Sequence, residues 1–376
     1  MTPEDAAETV RAALKQATQG LIDRQVLVDL IVLAAIANEH LLVIGPPGTA
    51  KSIAVRRVAQ VLGGHYFEYL LGRFTEPNEI FGPVNLTKLK EGSIHIDTQG
   101  MLPEAEVAFL DELFLGSTAI LNTLLAILNE RQFRRGHTDK RCPLKVCVGA
   151  SNEIPVDEAL AAFADRFLVR AYVKPVPDSA LEALLEGGRC MTKTPQPLAH
   201  GMQCLSVLSD AADAVPMQSV YNDLSQCVRL LRNNGIYLSD RRIVKSQQLI
   251  AAACVLAGRR EPSQADLWPL IYTVPGEQEQ ELAKDVLRDT FKQSENSTLQ
   301  AAAEEASQGP LARSERIVEQ SEAIFQELEQ AEDKQAVQLK LEALAREIDA
   351  GFSPDIMPPP LQQVRERIVQ MLQTPA

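Results

Sequence analysis

Residues 41–52 read LLVIGPPGTAKS. Four apolar residues, Leu41–Ile44, form a buried-strand pattern. A Gly/Pro turn follows, and then Lys51-Ser52 stand where a helix begins. Backbone N–H groups in such a turn, together with a helix N-terminus, make an anion cradle. Gly45 and Gly48 let the chain approach phosphates closely, and Pro46, Pro47 and Thr49 complete the turn. Lys51 can reach β- and γ-phosphates, and the Ser52 hydroxyl can ligate Mg²⁺. The strict pattern G-x-x-x-x-G-K-[ST] fails at Ala50. That departure matters only if position 50 needs a positive φ, where a Cβ costs about 1 kcal/mol or more. In helical geometry alanine fits without strain.

Working outward, residues 20–180 alternate short apolar runs with helical periodicity. The expected strands are His40–Ile44, His65–Leu70, Val107–Leu110, Leu144–Gly149 and Phe167–Val173. Between them, Ser117–Asn129 places Ile120, Leu121, Leu124, Leu125 and Leu128 on one helical face behind a Ser/Thr cap. The alternation predicts an α/β domain, a parallel sheet covered by helices, over 1–180. From Ser179 to Val274 only helical periodicity is present, which predicts an all-α domain over 181–285. Residues 286–376 read as a helical C-terminal extension. SERIVEQSEAIFQELEQAEDKQAVQLKLEALAREID (314–349) has heptad-like spacing that suits a helical hairpin or short coiled coil. GFSPDIMPPP breaks that pattern, and LQQVRERIVQML (361–372) forms a last amphipathic helix.

The cradle has partners downstream. EVAFLDEL (106–113) sets a strand directly before Asp111 and Glu112. The first carboxylate can hold Mg²⁺, and the second can orient or deprotonate an attacking water. KVCVGASNEIP (145–155) leads a strand to Asn152, an uncharged group able to hydrogen-bond a γ-phosphate or the water. AAFADRFLVR (161–170) ends a helix at Arg166, suited to a neighbouring subunit's γ-phosphate or, more simply, to complementing the helix macrodipole or pairing with Asp165. YLSDRRIVKS (237–246) offers Arg241 and Arg242. Either could fold back over a nucleotide as a lid sensor, the other being an ordinary salt-bridged residue.

These motifs, GPPGTAKS, FLDEL, GASNEIP, ADRF and SDRR, occur in the order found in MoxR-family AAA+ ATPases. The chain resembles that family over about residues 18–275, closest to its RavA-type subfamily. GLIDRQ (20–25), RFTEPNEIFGP (73–83) and LNTLLAILNERQFRRG (121–136) add to the likeness. The resemblance implies an AAA+ P-loop αβα domain followed by a helical lid. It implies ATP and Mg²⁺ as ligands. Lys51 and Ser52 become Walker A, Asp111 and Glu112 Walker B, Asn152 sensor 1, Arg166 the arginine finger and Arg241 sensor 2. Adenine is expected near Leu21 and Ile22. It also implies a hairpin inserted at Val84–Thr98, where two alternating runs surround Glu91-Gly92, and a second hairpin, FRRGHTDKRCP (133–143), with its turn at Gly136–Thr138. The second lies in the most basic stretch of the chain (Arg131, Arg134, Arg135, Lys140, Arg141), and such loops line the pore in related rings. A ring of copies of this chain, a hexamer, is implied, with a von Willebrand factor A domain partner and a protein client.

Composition limits other readings. With 45% apolar and 23% charged residues the chain can bury a core. A net charge of −13 argues against a nucleic-acid or anionic-membrane partner, and so against a DNA-remodelling motor. Cys142, Cys147, Cys190, Cys204, Cys227 and Cys254 include no C-x-x-C pair. The acidic start MTPEDAAETVRAALKQ does not read as a signal peptide. The segment LVDLIVLAAIAN (27–38) is interrupted by Asp29 and too short to span a bilayer. A cytoplasmic location follows as an expectation. His65, His95, His137 and His200 have no ligand-like spacing, and Trp268 reads as core. A nucleotide-gated scaffold with slow hydrolysis, working through its acidic tail, is the alternative.

Overall fold

The computed structural model describes residues 1–190, 195–198, 200–291, 294, 296–307 and 358–373, with isolated positions between 318 and 348. Its centre is a five-stranded parallel sheet in the order β2-β3-β6-β1-β7. The strands are β1 (Leu41–Ile44), β2 (Tyr66–Leu70), β3 (Val107–Asp111), β6 (Val146–Ser151) and β7 (Val169–Tyr172). A separate antiparallel hairpin pairs β4 (Gln132–Arg135) with β5 (Thr138–Arg141). All five expected runs became strands of the one sheet. β1 and β6 are buried along their whole length, which is why they are continuously apolar rather than alternating.

Helices cover both faces. α1 (Pro3–Thr18), α2 (Gln25–Ile36) and α3 (Lys51–Leu62) lie on one side. Short α4 (Pro77–Phe81) and α5 (Leu86–Lys90) follow β2, and α6 (Thr118–Glu130) and α7 (Glu158–Ala164) cover the other side. α1 opens on a capping box in which Thr2 and Asp5 each accept the other's backbone N–H at 3.1 Å. α6 starts where the sequence placed it, with Ser117 as N-cap.

Beyond β7 the described chain is helical: α8 (Leu181–Cys190), α9 (Gly201–Asp213), α10 (Tyr221–Asn233), α11 (Asp240–Leu256), α12 (Glu277–Val286), α13 (Arg288–Phe291) and α14 (Gln300–Ser307). These helices share their core with the sheet. Apolar residues of α1, α2 and α3, of one sheet face, and of α9–α11 form one continuous cluster. Trp268 is fully buried in it. A smaller cluster joins Phe325, Leu341, Leu344 and Ile348 to Leu361, Val364 and Ile368 of the expected last helix, Pro359–Gln373. Most of the heptad-like stretch 314–349 lies outside the described residues. No described helix is long and apolar enough to cross a membrane.

The segment Val84–Thr98 departs from expectation. It is not a β-hairpin: its base is one antiparallel bridge, Val84 to Ile96, and its tip is the short helix α5. Asn85 is the cause. Its side-chain oxygen accepts the N–H of Thr87 and of Lys88, both at 3.1 Å, and so caps a helical turn where strand pairing was expected.

Asp29 is the polar exception in α2. Its Oδ2 accepts the Ala302 N–H at 3.1 Å and caps the start of α14, tying residues 300–307 to the core around α2. Burial pushes its carboxyl up to about 7, opposed by the Ala302 and Ala301 N–H groups. The folded state therefore holds this proton more tightly than the unfolded chain does. The resulting stabilisation is present at low pH and is lost as pH rises from the ordinary 3.8 through about 7. Asp29→Asn keeps an acceptor without the charge. It should raise stability at pH 8 by on the order of 2 kcal/mol, with the gain shrinking toward pH 5, as read from denaturant melts.

Candidate nucleotide site

In a parallel sheet every strand ends at the same edge, and that edge gathers the acidic and phosphate-loop motifs. The Gly45 N–H donates to the Ser151 carbonyl at 3.1 Å, joining the loop to the end of β6. A Cβ on Gly45 would lie 2.2 Å from the Val173 carbonyl oxygen, so only glycine fits there. Gly48 has a φ of +79°, with open space beside it. Lys51 begins α3, and its Nζ donates to the Gly45 carbonyl at 2.6 Å and the Pro46 carbonyl at 3.0 Å. Burial lowers its pKa, while the charges of Asp111 and Glu112 oppose that shift. The two acids therefore face the lysine across the loop. The loop, the free first-turn donors of α3 and the facing carboxylates fit a magnesium-bound polyphosphate. Lys51 would hold the phosphates, and Ser52 and Asp111 the metal.

Asp111 closes β3, and its Oδ1 accepts the Glu112 N–H at 3.0 Å. Glu112 is left-handed (φ +49°), which turns its carboxylate back toward β6. There its Oε1 accepts the Asn152 amide N–H at 2.9 Å. The sequence motifs of β3 and β6 thus meet through one hydrogen bond.

Ala50 settles the question left by the motif. Its φ of +60° and ψ of 24° are left-handed, so the position demands what glycine supplies and alanine strains it by about 1–2 kcal/mol.

Arg24 lies within GLIDRQ (20–25), a stretch that assigns it no role, yet it holds the loop. Its Nε donates to the Thr49 carbonyl at 2.8 Å and its Nη2 to the Lys174 carbonyl at 2.8 Å, binding the phosphate loop to the exit of β7. The signal for it was a lone arginine at the mouth of the almost wholly apolar α2. Leu21, an expected adenine contact, belongs to the core, while Ile22 is half-buried beneath α8. A Cβ on Gly187 of α8 would lie 3.3 Å from the Ile22 Cγ1.

Arg166 and Arg241 do not join this constellation. Arg166 precedes β7, at the opposite edge of the sheet, and its Nε is buried without a partner. The Arg241 Nη2 donates to Asn129 Oδ1 at 2.8 Å, and its Nη1 is likewise buried and unpartnered. The start of α11 also lies at that edge. Lys245 pairs with Glu39 at 2.6 Å, just before β1, and Arg242 bonds the Phe167 and Leu168 carbonyls just before β7. The expected fold-back of Arg241 over its own phosphate loop is therefore not what the chain does. The length of β1, about 13 Å of strand, lies between them.

The basic hairpin is formed as expected, with Gly136 at φ +59° in its turn. Two of its cations are matched by carboxylates. Lys140 pairs with Glu104, and Arg134 lies 3.4 Å from Asp139. Arg131 turns inward and donates to the Leu128 and Asn38 carbonyls. The turn is sewn to the inserted segment. His137 N–H donates to the Ile94 carbonyl at 2.7 Å, and the Ile94 N–H returns to His137 Nδ1 at 3.0 Å.

Residues 8–209 match the family model described as the MoxR domain of MoxR–vWA–β-propeller ternary systems, and residues 218–285 match an AAA lid domain. The chain is a MoxR-family AAA+ ATPase. An uncharacterized protein of Methanocaldococcus jannaschii is 36% identical over 247 residues, covering 65% of this chain and 64% of that relative, under two thirds of its length. Chaperone MoxR1 of Mycobacterium tuberculosis is 25% identical over 202 residues, covering 51% of this chain and 52% of its own. The crystal structure of a candidate ATPase from Cytophaga hutchinsonii superposes with a TM-score of 0.62 at 15% identity, covering 76% of this chain and 95% of that one, a likeness of fold.

In this MoxR ATPase, Ala50→Gly should leave the fold intact and raise stability by up to about 1 kcal/mol, strain relief exceeding the extra unfolded-state entropy. A thermal melt checks it, and a lowered Tm would show that the Ala50 methyl contributes more through packing than its backbone costs.

Proposed function

We propose that this chain binds Mg²⁺-ATP at the Gly45–Ser52 loop and hydrolyses it at interfaces between copies of itself in a ring of about six. The observation that carries this reading is the division of the site. Lys51, Ser52, Asp111, Glu112 and Asn152 stand at one edge of the sheet. Arg166 and Arg241, each with a buried unpartnered guanidinium nitrogen, stand at the other. In a head-to-tail ring one edge meets the other, so each site draws on two subunits.

The chain's own groups then have distinct tasks. Lys51, released from the Gly45 and Pro46 carbonyls, neutralises phosphate charge. Glu112 orients and deprotonates the attacking water, and Asn152, which holds Glu112 at 2.9 Å, sets where that carboxylate points. Mg²⁺, held through Ser52 and Asp111, would offset charge on the transferring phosphoryl group. The neighbour's Arg166, with Arg241 beside the same interface, stabilises the transition state.

Turnover is read as driving remodelling or maturation of a protein client, in keeping with the chaperone name of the mycobacterial relative. The family description supports a von Willebrand factor A domain partner, with a β-propeller protein as a third member. The SDRR stretch suits a RavA-type member. A gated scaffold with slow hydrolysis is the second reading, favoured by the Asn152–Glu112 bond, which occupies the carboxylate.

Lys51→Ala should lose nucleotide affinity, and Arg166→Ala should bind nucleotide but lose roughly 10³–10⁵ in turnover. Mixed one to one, the two inactive variants should recover activity at roughly a quarter of interfaces by random pairing. Absence of recovery at every ratio would contradict a shared site.

A further inference from the structure

The neighbour of Arg241 has its own assignment. Arg242 is 1% exposed, and all its guanidinium nitrogens are engaged within the chain. Nε donates to Asp165 Oδ1 at 2.6 Å. Nη1 donates to the Leu168 carbonyl at 2.9 Å and the Thr273 carbonyl at 2.7 Å, and Nη2 to the Phe167 carbonyl at 3.2 Å. Three of these four acceptors flank one residue, Arg166. The side chain of a helix in the all-α part therefore grips the finger's chain on both sides.

A second arginine completes the grip. Arg170, buried in β7, donates from Nη2 to the Ala164 carbonyl at 2.6 Å, at the end of α7. Burial first, and then the neighbouring Arg242, lower its pKa to about 10. Asp165 is the carboxylate that offsets both cations. Residues 164–168 are thus fixed from the strand by Arg170 and from α11 by Arg242. The buried Nε of the Arg166 side chain itself has no partner.

We propose that Arg242 is a positioning residue for catalysis: it makes the arginine finger Arg166 move as one body with helix α11. Because Arg170 ties the same residues to β7, the finger, β7 and α11 advance or withdraw together relative to the neighbouring subunit's phosphates. Adjacent arginines divide the work, Arg241 facing the interface and Arg242 holding the frame. The inference rests on the reading that Arg166 acts across an interface. It also predicts that charge alone is insufficient. Lysine cannot reach three carbonyls and a carboxylate with the planar fork that arginine provides.

The test uses the full chain and three variants: Arg242→Gln, Arg242→Lys and Asp165→Asn. Asp165→Asn removes only the ion pair and leaves the carbonyl contacts, so it stays informative if Arg242→Gln fails to fold. Each folded variant should form rings and bind ATP within about twofold of the wild type while kcat falls roughly ten- to a hundredfold, the cost of a misplaced group. Arg242→Gln mixed with Lys51→Ala should recover activity, because the intact finger then comes from the second variant. Mixed with Arg166→Ala it should recover none. Wild-type kcat in folded Asp165→Asn, or loss of nucleotide binding in step with turnover, would reduce Arg242 to a structural role and overturn the inference. The Arg166→Ala and Lys51→Ala mixture is the control. Recovery there with none for Arg242→Gln rejects the positioning role alone, and no recovery there rejects the shared interface and the positioning role with it.

Discussion

The direction of the parallel sheet is the constraint on which the rest depends. Because β1, β3 and β6 run the same way, the segments that follow them reach one edge. Those segments are the phosphate loop, the Asp111-Glu112 pair and Asn152. For the same reason, whatever precedes β7 stands at the far edge, which fixes Arg166 away from Lys51 before any side chain is placed. The docking of α11 beneath that far edge, through Lys245–Glu39 and Arg242–Asp165, carries Arg241 to the same side. On the proposed reading, one chain presents half of a shared site on each of two surfaces.

Strain at the loaded edge points the same way. Ala50 and Glu112 are both left-handed without being glycine, and both lie at the edge that gathers Lys51, Asp111 and Asn152. The Ala50 conformation aims the first turn of α3 at the loop, and the Glu112 conformation brings its carboxylate to Asn152. Arg24 braces this arrangement from behind by holding the Thr49 and Lys174 carbonyls. The opposite edge is organised differently, by cations in excess over acids. Arg166, Arg170, Arg241 and Arg242 gather near Asp165 and Asn129, and nitrogens on three of them lack partners.

Much of this was legible in the residues. The strands were readable because strands buried on both faces must be apolar throughout, and the helix at Ser117 because its cap and its i, i+4 leucines agree. The loop and its acids were readable as motifs, and the structure gathers them at one edge of the sheet. What failed had local or long-range causes. Val84–Thr98 alternates like a hairpin, but the Asn85 cap outweighed the pattern. Arg24 sits in GLIDRQ without any local sign of what it holds, and His40 carries no motif. His40 is buried, with Nδ1 accepting the Cys147 N–H at 3.0 Å, a contact 107 residues away in sequence. The placement of Arg241 depends on how α11 docks, and periodicity identifies a helix without saying which edge of a sheet it will meet. The difference between Arg241 and Arg242 has the same origin, since only the docked structure shows which side chain is enclosed.

The central claim is that the site is complete only between copies of this chain. The most direct measurement is ATPase rate per subunit as a function of protein concentration, with mass measured in the same buffer with and without ATP. The account predicts a specific activity that rises with concentration, in step with the appearance of a ring of about six. A monomer whose rate per subunit is substantial and independent of concentration would contradict it, because such a chain would be completing its site alone.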